Sequence, residues 1–387
     1  MATVNHIKDS QSYSNHYKQA NTYFNVITQN TKPAALRDAQ CERREQLINN
    51  VVINDQDTTQ LIYEVPAGLN LMINPVMIFK IQLNNSNALG PSGSLNCIKT
   101  QTIRSGARVV SSFKYAPVAK YLMDTCSDAE KYAEIKEIIG CSQNTANAEI
   151  ELIVPLIVPW SKFGNTNYRT PGYLKTSQIN SNTLHFELEL NALNAYCTGS
   201  QTSASANACT SAKIVYWTYH TSEDLIAKEK ATPYDIFTNE YRVYENQTLT
   251  AGQDNTIDVS QFNGSIKELY VSANTAAEIT AKNEIKRQSM KKISANIEGQ
   301  KWHNEVDSER EVKLNEFLYD RRISSDGRNS SINFSCNDRG ISGFLNTRRT
   351  SKLEIVVEPA ATCTADIVAV FYKRQFIKNG VLQEGQF

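Results

Sequence analysis

The chain has no net charge and no long apolar run. Its 387 residues include 40 basic and 40 acidic side chains, so no overall field would attract nucleic acid or an anionic membrane. The longest apolar run, Leu152–Trp160, contains two prolines, whereas a membrane-spanning helix needs roughly 20 apolar residues. We therefore expect no membrane span. The polar stretch Met1–Asn30 predicts that there is no secretory signal.

Cysteine pairs of the zinc-binding type are also missing. None of the eight cysteines forms a C-x-x-C pair, so a zinc site is not supported. We expect reduced thiols in a protein made in a cytosol. One alternative stays open: Cys197 and Cys209 flank a polar loop and could form a disulfide, although sequence alone does not fix the geometry that a disulfide needs.

Common catalytic motifs are absent as well. There is no Walker loop, G-x-G-x-x-G, H-E-x-x-H, G-x-S-x-G or EF-hand loop. His185 and Glu187 share one strand face, but a metal site would need further histidines and no H-x-H pair exists. The carboxylate pairs Glu187 and Glu189, and Glu149 and Glu151, have no flanking tryptophan cluster that would form a sugar subsite. We therefore predict that the protein is not an enzyme. We also predict no catalytic, cofactor-binding or metal-binding residues and no cofactor.

The clearest structural signal is the stretch Thr183–Asn191. Apolar residues alternate there with polar ones, which predicts a strand with one face on a core. The apolar residues are Leu184, Phe186, Leu188 and Leu190. The polar face, with His185, Glu187 and Glu189, is predicted to be an outer sheet face or a subunit contact. A weaker copy of the pattern, Leu353–Glu358, lies near the C-terminus.

Other segments predict further strands on both sides of this stretch. The first half has strand patterns at Leu61–Val65, Val76–Leu83, Ala107–Phe113, Ile150–Val154 and Ile214–His220. The second half has them at Tyr241–Tyr244, Thr256–Val259, Ile266–Val271, Ile293–Ile297, Ile332–Cys336 and Ile367–Tyr372. These runs are short and are separated by polar loops, which is typical of an all-β protein.

Two helix-start patterns indicate an internal repeat. Ser-x-x-Glu capping boxes begin at Ser127 and Ser308, and each is followed by apolar residues at helical spacing. From Ser127 to the strand at Ile150 is 23 residues, and from Ser308 to the strand at Ile332 is 24. Because loops vary more than the elements they connect, we interpret the halves as copies of one β-domain. The predicted fold class is all-β, with two tandem eight-stranded jelly rolls (β-sandwiches) that carry helix-bearing loop insertions.

The repeat suggests five parts for the chain. They are an N-terminal arm (1–46), a first jelly roll (47–224), a charged linker (225–233), a second jelly roll (234–378) and a polar C-terminal tail (379–387). Thr31 and Pro33 mark a helix start, so Ala34–Ile48 is predicted to make the arm helical. Basic groups at Lys282–Lys292 and Arg348–Lys352 could contact nucleic acid or lipid, but interspersed acidic residues favour a solvated or subunit-facing surface.

The tandem order resembles that of the double jelly-roll major capsid proteins of tailless icosahedral viruses. This lineage includes adenovirus hexon and tectivirus-like phages, and many of its viruses have an internal membrane. The resemblance covers about residues 47 to 378. Its closest local likeness is Leu314–Asp338, where Tyr319–Ile323 leads into Phe334–Asp338. It depends on element order and on the helix before the late strands of each half, and not on a short motif.

The resemblance implies a major capsid protein that self-assembles as pseudo-hexagonal homotrimers into an icosahedral shell over an internal membrane. Its partners would be itself, within the trimer and in neighbouring trimers, and minor capsid and vertex proteins. The N-terminal arm would contact the viral membrane, and no specific nucleic-acid sequence would be bound. The protein would be located in the virion after synthesis in the host cytoplasm. Ser161–Asn182 and Ala195–Thr210 are candidates for outward-projecting tower loops.

Two other functions stay open on the sequence. A β-sandwich attachment protein, such as a spike that binds a receptor or carbohydrate, would present exposed aromatic side chains at its loop tips. A jelly-roll hydrolase or lyase would need clustered carboxylates or a metal in a groove.

Overall fold

The structure is a computed structural model of the chain. It describes residues 39–66, 72–83, 88–125, 135–138, 149–160, 174–180, 183–198, 207–221, 227, 231, 233–286, 290–302, 306–307, 331–335 and 343–385. Several predictions lie outside these residues: most of the helix that starts at Ser127, all of the helix that starts at Ser308, and the arm before residue 39. Of the Ser127 helix, residues 135–138 are described and they are helical.

Ten strands belong to the first half of the chain. They are β1 (Ala39–Ile48), β2 (Thr59–Glu64), β3 (Ile73–Gln82), β4 (Ala88–Leu89), β5 (Ile98–Ser105), β6 (Arg108–Lys114), β7 (Glu149–Pro155), β8 (Leu184–Leu190), β9 (Cys197–Thr198) and β10 (Cys209–Thr221). Two four-stranded antiparallel sheets result, with the orders β1-β10-β3-β7 and β2-β8-β5-β6. The short strands β4 and β9 pair separately.

The second half contains the remaining strands. They are β11 (Asp235–Leu249), β12 (Asn255–Asp258), β13 (Ser265–Asn274), β14 (Met290–Ile297), β15 (Gln300–Lys301), β16 (Val306–Asp307), β17 (Ser331–Asn333), β18 (Leu345–Asn346), β19 (Leu353–Pro359), β20 (Cys363–Lys378) and β21 (Val381–Gly385). One sheet has the order β11-β20-β13-β17, with β18 and β21 paired beside it. The other has the order β12-β19-β14-β15, and β16 also pairs with β14.

The strand order is the same in both halves. Sheet β1-β10-β3-β7 corresponds to β11-β20-β13-β17, and sheet β2-β8-β5-β6 corresponds to β12-β19-β14 with its short partners. Strands β8 and β19 therefore occupy equivalent positions, which confirms that Thr183–Asn191 and Leu353–Glu358 are the same strand in two copies. The all-β fold with tandem jelly rolls is confirmed as well.

Strands β8 and β19 bury every second residue, as their sequences predict. The four apolar side chains of β8 are buried in the core of the first half, and those of Leu353, Ile355 and Val357 in the core of the second. The residues between them are half-buried in both strands. A strand with period-two burial packs one face against the opposite sheet, so each pair of sheets encloses one core.

Besides the helical residues 135–138, the described part of the chain has three short α-helices between strands. They are α1 (Gly93–Cys97), α2 (Tyr115–Asp124) and α3 (Ala276–Thr280). The sequence interpretation missed α2, whose Pro117 lies in the first turn, where no helical N–H bond is lost. It also missed the capping box of α3, in which Thr275 and Glu278 bond each other's backbone. Among the described residues, no helix has the length and apolarity that a membrane crossing requires.

The prediction of a helix over Ala34–Ile48 is wrong where the structure describes it. Ala39–Ile48 is strand β1 and pairs with β10 along all ten residues. A helix with a thin apolar stripe gains little stability alone, whereas the ladder satisfies the backbone groups at the edge of β10. Residues 39–48 are therefore part of the first sheet.

The prediction of a polar C-terminal tail is also wrong. Residues 381–385 form β21, which pairs with β20 through a two-residue turn at Asn379 and Gly380. Both turn residues have positive φ (54° and 73°), as a type I′ hairpin turn requires. Leu382 is fully buried in the core of the first half, and its N–H donates to Ser105 Oγ at 3.0 Å. The chain end thus joins the two halves.

Two further strands differ from the prediction, because one has a largely polar sequence and the other contains a proline. Strand β5 is largely polar in sequence, yet its Gln101 side chain is fully buried and its amide accepts a bond from the Ile157 N–H at 3.1 Å. Strand β3 begins at Ile73, three residues before the predicted start at Val76, and runs through Pro75. Asn74, which precedes the proline, has a positive φ of 41°.

Candidate assembly surface

Helix α2 of the first half lies on the sheet β11-β20-β13 of the second half. Its residue Lys120 is only 2% exposed. The Lys120 Nζ atom donates to the Ala273 carbonyl at 3.2 Å, to Asn274 Oδ1 at 3.2 Å and to the Lys286 carbonyl at 3.1 Å. An ammonium group has three N–H donors, so each finds an acceptor and all three acceptors belong to the second half. A buried lysine is stable only with such partners.

Two tyrosine–carboxylate hydrogen bonds cross the same junction in opposite directions. The Tyr121 hydroxyl of α2 donates to Glu268 Oε2 of β13 at 2.8 Å, and Glu268 is fully buried. The Tyr270 hydroxyl of β13 donates to Asp124 Oδ2 at the end of α2. Each half thus supplies one buried acid and one phenol to the other. Hydrogen bonds to charged acceptors are roughly twice as strong as neutral ones.

Aromatic rings fill the space between these bonds. Tyr121 makes ring contacts with Tyr241 and Tyr270, at centroid distances of 6.0 and 5.4 Å. Phe113 of β6 meets Tyr241 edge-on at 5.8 Å. Burial raises the pKa of the Tyr241 hydroxyl above its ordinary value of 10. The junction therefore combines apolar contact with hydrogen bonds between buried polar side chains, as in a domain interior.

Strand β20 packs on both of its faces: one face lies on the core of the second half, and the other lies on the first half at the junction. Ile367, Ala369 and Phe371 belong to the core of the second half. Val368 and Val370, which alternate with them, are fully buried in the cluster of the first half. Strand β13 is likewise buried at every position. A sheet that is apolar on both faces must be covered on both, and here the first half covers one of them.

Further hydrogen bonds and ion pairs link the two halves at the ends of the junction. The Ser92 N–H donates to the Lys282 carbonyl at 3.0 Å, and the Ile285 N–H donates to Ser92 Oγ at 2.8 Å. Lys114 Nζ lies 3.0 Å from Asp366 Oδ2 and 3.3 Å from Glu245 Oε2. Burial opposes the charged form of Lys114, but these two carboxylates outweigh it and raise its pKa.

An open cleft of about 250 Å³ lies at this junction. Lys114, Asp366, Asn96 and Glu284 are among its lining residues. Lys114 and Asp366 are paired with each other, and Asn96 Nδ2 donates to Glu284 Oε2 at 2.8 Å. Burial raises the pKa of the Glu284 carboxyl. The cleft thus holds groups whose partners lie within the junction.

The polar face of β8 carries ion pairs between neighbouring strands. Arg104 of β5 donates to both carboxylate oxygens of Glu187, at 2.8 and 3.2 Å. Lys99 Nζ lies 2.8 Å from Glu189 Oε1, a contact that lowers the pKa of that carboxyl. His185 Nδ1 is 3.9 Å from Glu64 Oε1. These residues therefore form an outer sheet face, as the sequence predicts, and their partners are basic side chains and Glu64.

The other candidate residues are not brought together with this face. Glu149 and Glu151 lie on β7, in the other sheet, and Glu149 Oε1 accepts a bond from Thr210 at 2.6 Å. Within the described ranges, no three His, Cys, Asp or Glu side chains are placed to hold a metal ion. Cys197 and Cys209 are buried and form no disulfide, so the disulfide alternative is wrong.

Most described lysines of the basic groups are paired with carboxylates of the same half. Lys286 Nζ lies 3.5 Å from Glu278, and Lys292 Nζ lies 3.3 Å from Glu358. Lys352 Nζ lies 2.8 Å from Glu354. These pairs agree with a solvated or subunit-facing surface rather than with a polyanion-binding patch.

A repeated bulge relates the two halves at the level of single residues. The ladder between β5 and β8 skips Lys99, and the ladder between β14 and β19 skips Lys291 at the equivalent point. Lys99 pairs with Glu189, and Lys291 Nζ lies 3.7 Å from Glu358. Exposed ion pairs contribute little stability, so this shared detail is better explained by duplication than by energetic need.

The tower-loop candidates are described only in part. Residues 174–180 lie against the body of the protein, because Leu174 and Lys175 are fully buried. Asn180 N–H donates to the Gly380 carbonyl at 2.8 Å. Residues 195–198 are also packed, with Tyr196 fully buried. Residues 207–210 are described as well, and Cys209 begins β10. The remaining parts of both loops lie outside the described residues.

The comparisons with known proteins rest on three-dimensional structure, because the sequence matches no family model and no curated protein. A chain of the PBCV-1 virus capsid has a TM-score of 0.70 and 13% identity, over 90% of this chain and 97% of that chain. The Faustovirus major capsid protein has a TM-score of 0.64 and 8% identity, over 91% of this chain and 92% of that chain. The major capsid protein of STIV has a TM-score of 0.53 and 12% identity, over 86% of this chain and 96% of that chain.

The chain has the fold of these viral major capsid proteins. At 8–13% identity the likeness is one of fold, and it extends along nearly the whole of each chain compared. The double jelly-roll capsid fold accounts for the repeated strand order and the two sheet pairs. In this chain, it brings the first half against the outer face of the second half through α2.

Proposed function

We propose that this chain is a major capsid protein that self-assembles into an icosahedral viral shell. The observation that supports the proposal is the repeated sheet order of the two halves. The buried junction around Lys120 joins these halves into one block. A block with two similar halves offers two similar lateral edges. Three such blocks arranged head-to-tail would present six similar lateral edges, as a hexagonal lattice requires.

The junction supports a building block rather than two tethered domains. Linked domains that move relative to one another meet through polar interfaces of modest size. Here Val368, Val370 and Leu382 of the second half are fully buried in the cluster of the first half. Such a shared core would hold the two halves at a fixed angle, and lattice assembly needs edges that keep their directions.

The proposal places the protein in the virion, with itself as the principal partner, first as a homotrimer and then in neighbouring trimers. Minor capsid and vertex proteins would complete the shell over an internal membrane. The membrane-facing arm would comprise residues before 39, since Ala39–Ile48 is a strand. The two jelly rolls would extend from residue 39 to about 224 and from about 234 to 385. The attachment and hydrolase alternatives lack comparable support, because the matched structures are capsid proteins.

The test of this proposal is the mass of the purified protein in solution. Three copies of the 43.4 kDa chain give about 130 kDa. Light scattering after size exclusion should give that mass at micromolar concentration, because obligate interfaces commonly bury about 2,000 Å² or more. A single species of 43.4 kDa at the same concentration would contradict the proposal.

A further inference from the structure

We propose that the C-terminal hairpin, Arg374–Gly385, is a latch that closes by taking up a proton. The proton is bound to Glu384 of β21 and is shared with Gln375 of β20. Because Leu382 of this hairpin is buried in the core of the first half, the proton controls a contact between the two halves. The inference goes beyond the capsid function and does not depend on it.

Glu384 and Gln375 lie side by side in the hairpin. They are directly opposite in the ladder between β21 and β20, so their side chains point to the same face. Two residues along each strand, Leu382 and Ile377 are also opposite each other, and both pack in or against the core of the first half. The pair formed by Glu384 and Gln375 therefore faces the first half.

Both side chains are largely shielded from water. Gln375 is 1% exposed, and the side chain of Glu384 is 17% exposed. In each of them the Oε1 atom is buried and has no hydrogen-bond partner among the residues that the structure describes. The Gln375 side chain is close enough to affect the titration of Glu384. A buried acceptor without a donor is unfavourable, and here two of them belong to neighbouring side chains.

One proton provides a donor for both oxygens. An ionised carboxylate only accepts hydrogen bonds, whereas a carboxylic acid has one O–H donor. With the proton on Glu384 Oε1, this O–H donates to Gln375 Oε1, and Glu384 Oε2 remains the acceptor for Lys373 Nζ. When Glu384 is ionised, neither of the two Oε1 atoms has a donor.

The charged side chains that act on Glu384 are Lys373 and Glu240, both of the second half. Lys373 Nζ contacts Glu384 Oε2 and lies 3.1 Å from Glu240 Oε2, so it keeps an ionised partner when Glu384 is neutral. The attraction of Lys373 favours the ionised form of Glu384, and the repulsion from Glu240 opposes it. Burial is the largest effect, and it raises the pKa of the Glu384 carboxyl.

The other charged groups around the hairpin have partners of their own. Arg242 Nε donates to Glu240 Oε1 at 3.1 Å, and Arg374 Nε donates to Asp235 Oδ1 at 2.8 Å. The hydrogen bonds from the hairpin to the first half involve uncharged groups, namely the Ser105 hydroxyl and the backbone and side-chain amides of Asn180. Glu384 is thus the group through which pH acts on this contact.

Docking of the hairpin is therefore strongest in acid. The docked Glu384 carboxyl keeps its proton to a higher pH than the undocked carboxyl, whose ordinary pKa is 4.5. The docked state loses this advantage as pH rises from about 4.5 through the raised pKa, by up to about tenfold in the docking equilibrium per pH unit. Since Leu382 belongs to the same strand, a rise in pH loosens the contact between the halves.

Hydrogen exchange of the full-length protein measures this equilibrium at the amides of β21. After correction for intrinsic exchange rates, wild-type protection of residues 381–385 should fall by up to about tenfold per pH unit across this window. Glu384→Gln keeps the side-chain size and a donor but does not titrate, so its protection should be the same at every pH. Glu358→Gln is the matched control and should show the wild-type profile. The Glu358 side chain is 14% exposed, pairs with Lys292 and lies in the other sheet of the second half.

A second variant decides which side chain donates. If the Gln375 amide donated to an ionised Glu384, Gln375→Met would remove that donor and make the fall in protection with pH steeper. We expect the opposite result, because Gln375→Met removes the acceptor for the Glu384 proton and should therefore flatten the profile. An unchanged or steeper profile would overturn the inference. If Gln375→Met does not fold, the comparison of wild type with Glu384→Gln still decides, since equal pH dependence in these two proteins would also overturn it.

Discussion

Lys120 and Asn274 lie in different halves of the chain, and the lysine Nζ donates to the asparagine Oδ1 at 3.2 Å. Asn274 in turn donates through Nδ2 to the Glu284 and Lys286 carbonyls, at 3.1 and 3.2 Å. The lysine thus enters a network that already organises the second half. This arrangement makes the junction dependent on one cation from the first half.

Replacing Lys120 by methionine should weaken the junction strongly. Methionine keeps most of the side-chain volume but leaves the Ala273 and Lys286 carbonyls and Asn274 Oδ1 without this donor. Orphaned buried acceptors predict a loss of roughly 2–4 kcal/mol in unfolding free energy. The measurement is the urea midpoint of Lys120→Met against wild type. Lys99→Met is the control, because its half-exposed ion pair should contribute no more than about 0.5 kcal/mol. Equal midpoints for the two variants would argue against the junction.

Tyr270→Phe should also destabilise the protein, through Asp124. The substitution removes only the hydroxyl that donates to this buried carboxylate. Because the acid stays buried and loses a donor, we expect a cost of about 1–3 kcal/mol. Tyr244→Phe, in strand β11 of the same sheet, is a control of the same chemistry at a half-buried position. Thermal midpoints measure both, and a smaller loss for Tyr270→Phe than for Tyr244→Phe would count against the assignment.

Gly380 is the position where the C-terminal hairpin meets the first half. A Cβ there would lie 2.1 Å from Asn180 Oδ1, and the φ of 73° is unfavourable for other residues. Gly252 has the same φ but no atom within 4 Å of a Cβ. Gly252→Ala should therefore cost about 1–2 kcal/mol from the backbone alone. Gly380→Ala should cost more and should release β21 to limited proteolysis. Equal losses for both variants would show that the hairpin does not dock on Asn180.

The sequence predicted the repeat and its apolar strands because strong period-two patterns survive in β8 and β19. It did not predict β5, since Gln101 fills a core position through hydrogen bonds that no local pattern indicates. Strand β1 was mistaken for a helix because its stability comes from pairing with β10, more than 160 residues away in sequence. The Asn379–Gly380 pair is a recognisable two-residue hairpin signal in the sequence.

The junction was the least predictable part of the candidate site. No local sequence pattern marks Lys120 or Glu268 as buried. Both are buried only because another half of the chain lies on them. The polar face of β8 was predicted correctly because its partners lie on adjacent strands, where register alone brings Arg104 to Glu187.

Glu284 gives a pH dependence with a definite sign. Burial raises the pKa of its carboxyl above the ordinary value of 4.5 in the folded state. Ionisation is then less favourable in the folded than in the unfolded chain, so stability falls as pH rises from about 4.5 through the raised pKa. Glu284→Gln should gain stability relative to wild type across that window. Urea unfolding at a series of pH values measures this difference.

Glu298 provides a control with the opposite sign. Hydrogen bonds from Ser351 lower the pKa of its carboxyl. The stability that the ionised Glu298 carboxylate adds to the folded state is present above its ordinary pKa and is lost as pH falls through the lowered pKa. The lower unfolding free energy of Glu298→Gln relative to wild type should therefore disappear in acid. Parallel pH profiles for the Glu284 and Glu298 variants would contradict both assignments.

The described cysteines should be unreactive in the native protein. Cys97, Cys197, Cys209 and Cys363 are buried and belong to no disulfide. Burial raises the pKa of the Cys209 and Cys363 thiols to about 11, so little thiolate forms at pH 8. A thiol reagent such as Ellman's should label at most four of the eight cysteines quickly, and all eight in denaturant. Rapid native labelling of more than four would contradict this packing.

Electron microscopy of the purified protein tests the central claim most directly. If the chain is a capsid building block, two-dimensional class averages viewed along the symmetry axis should show a particle with threefold symmetry and six lobes, one for each jelly roll. Concentrated samples should form hexagonal arrays or closed shells with the same unit. Averages of isolated two-lobed particles, with no threefold view at any concentration, would contradict the account.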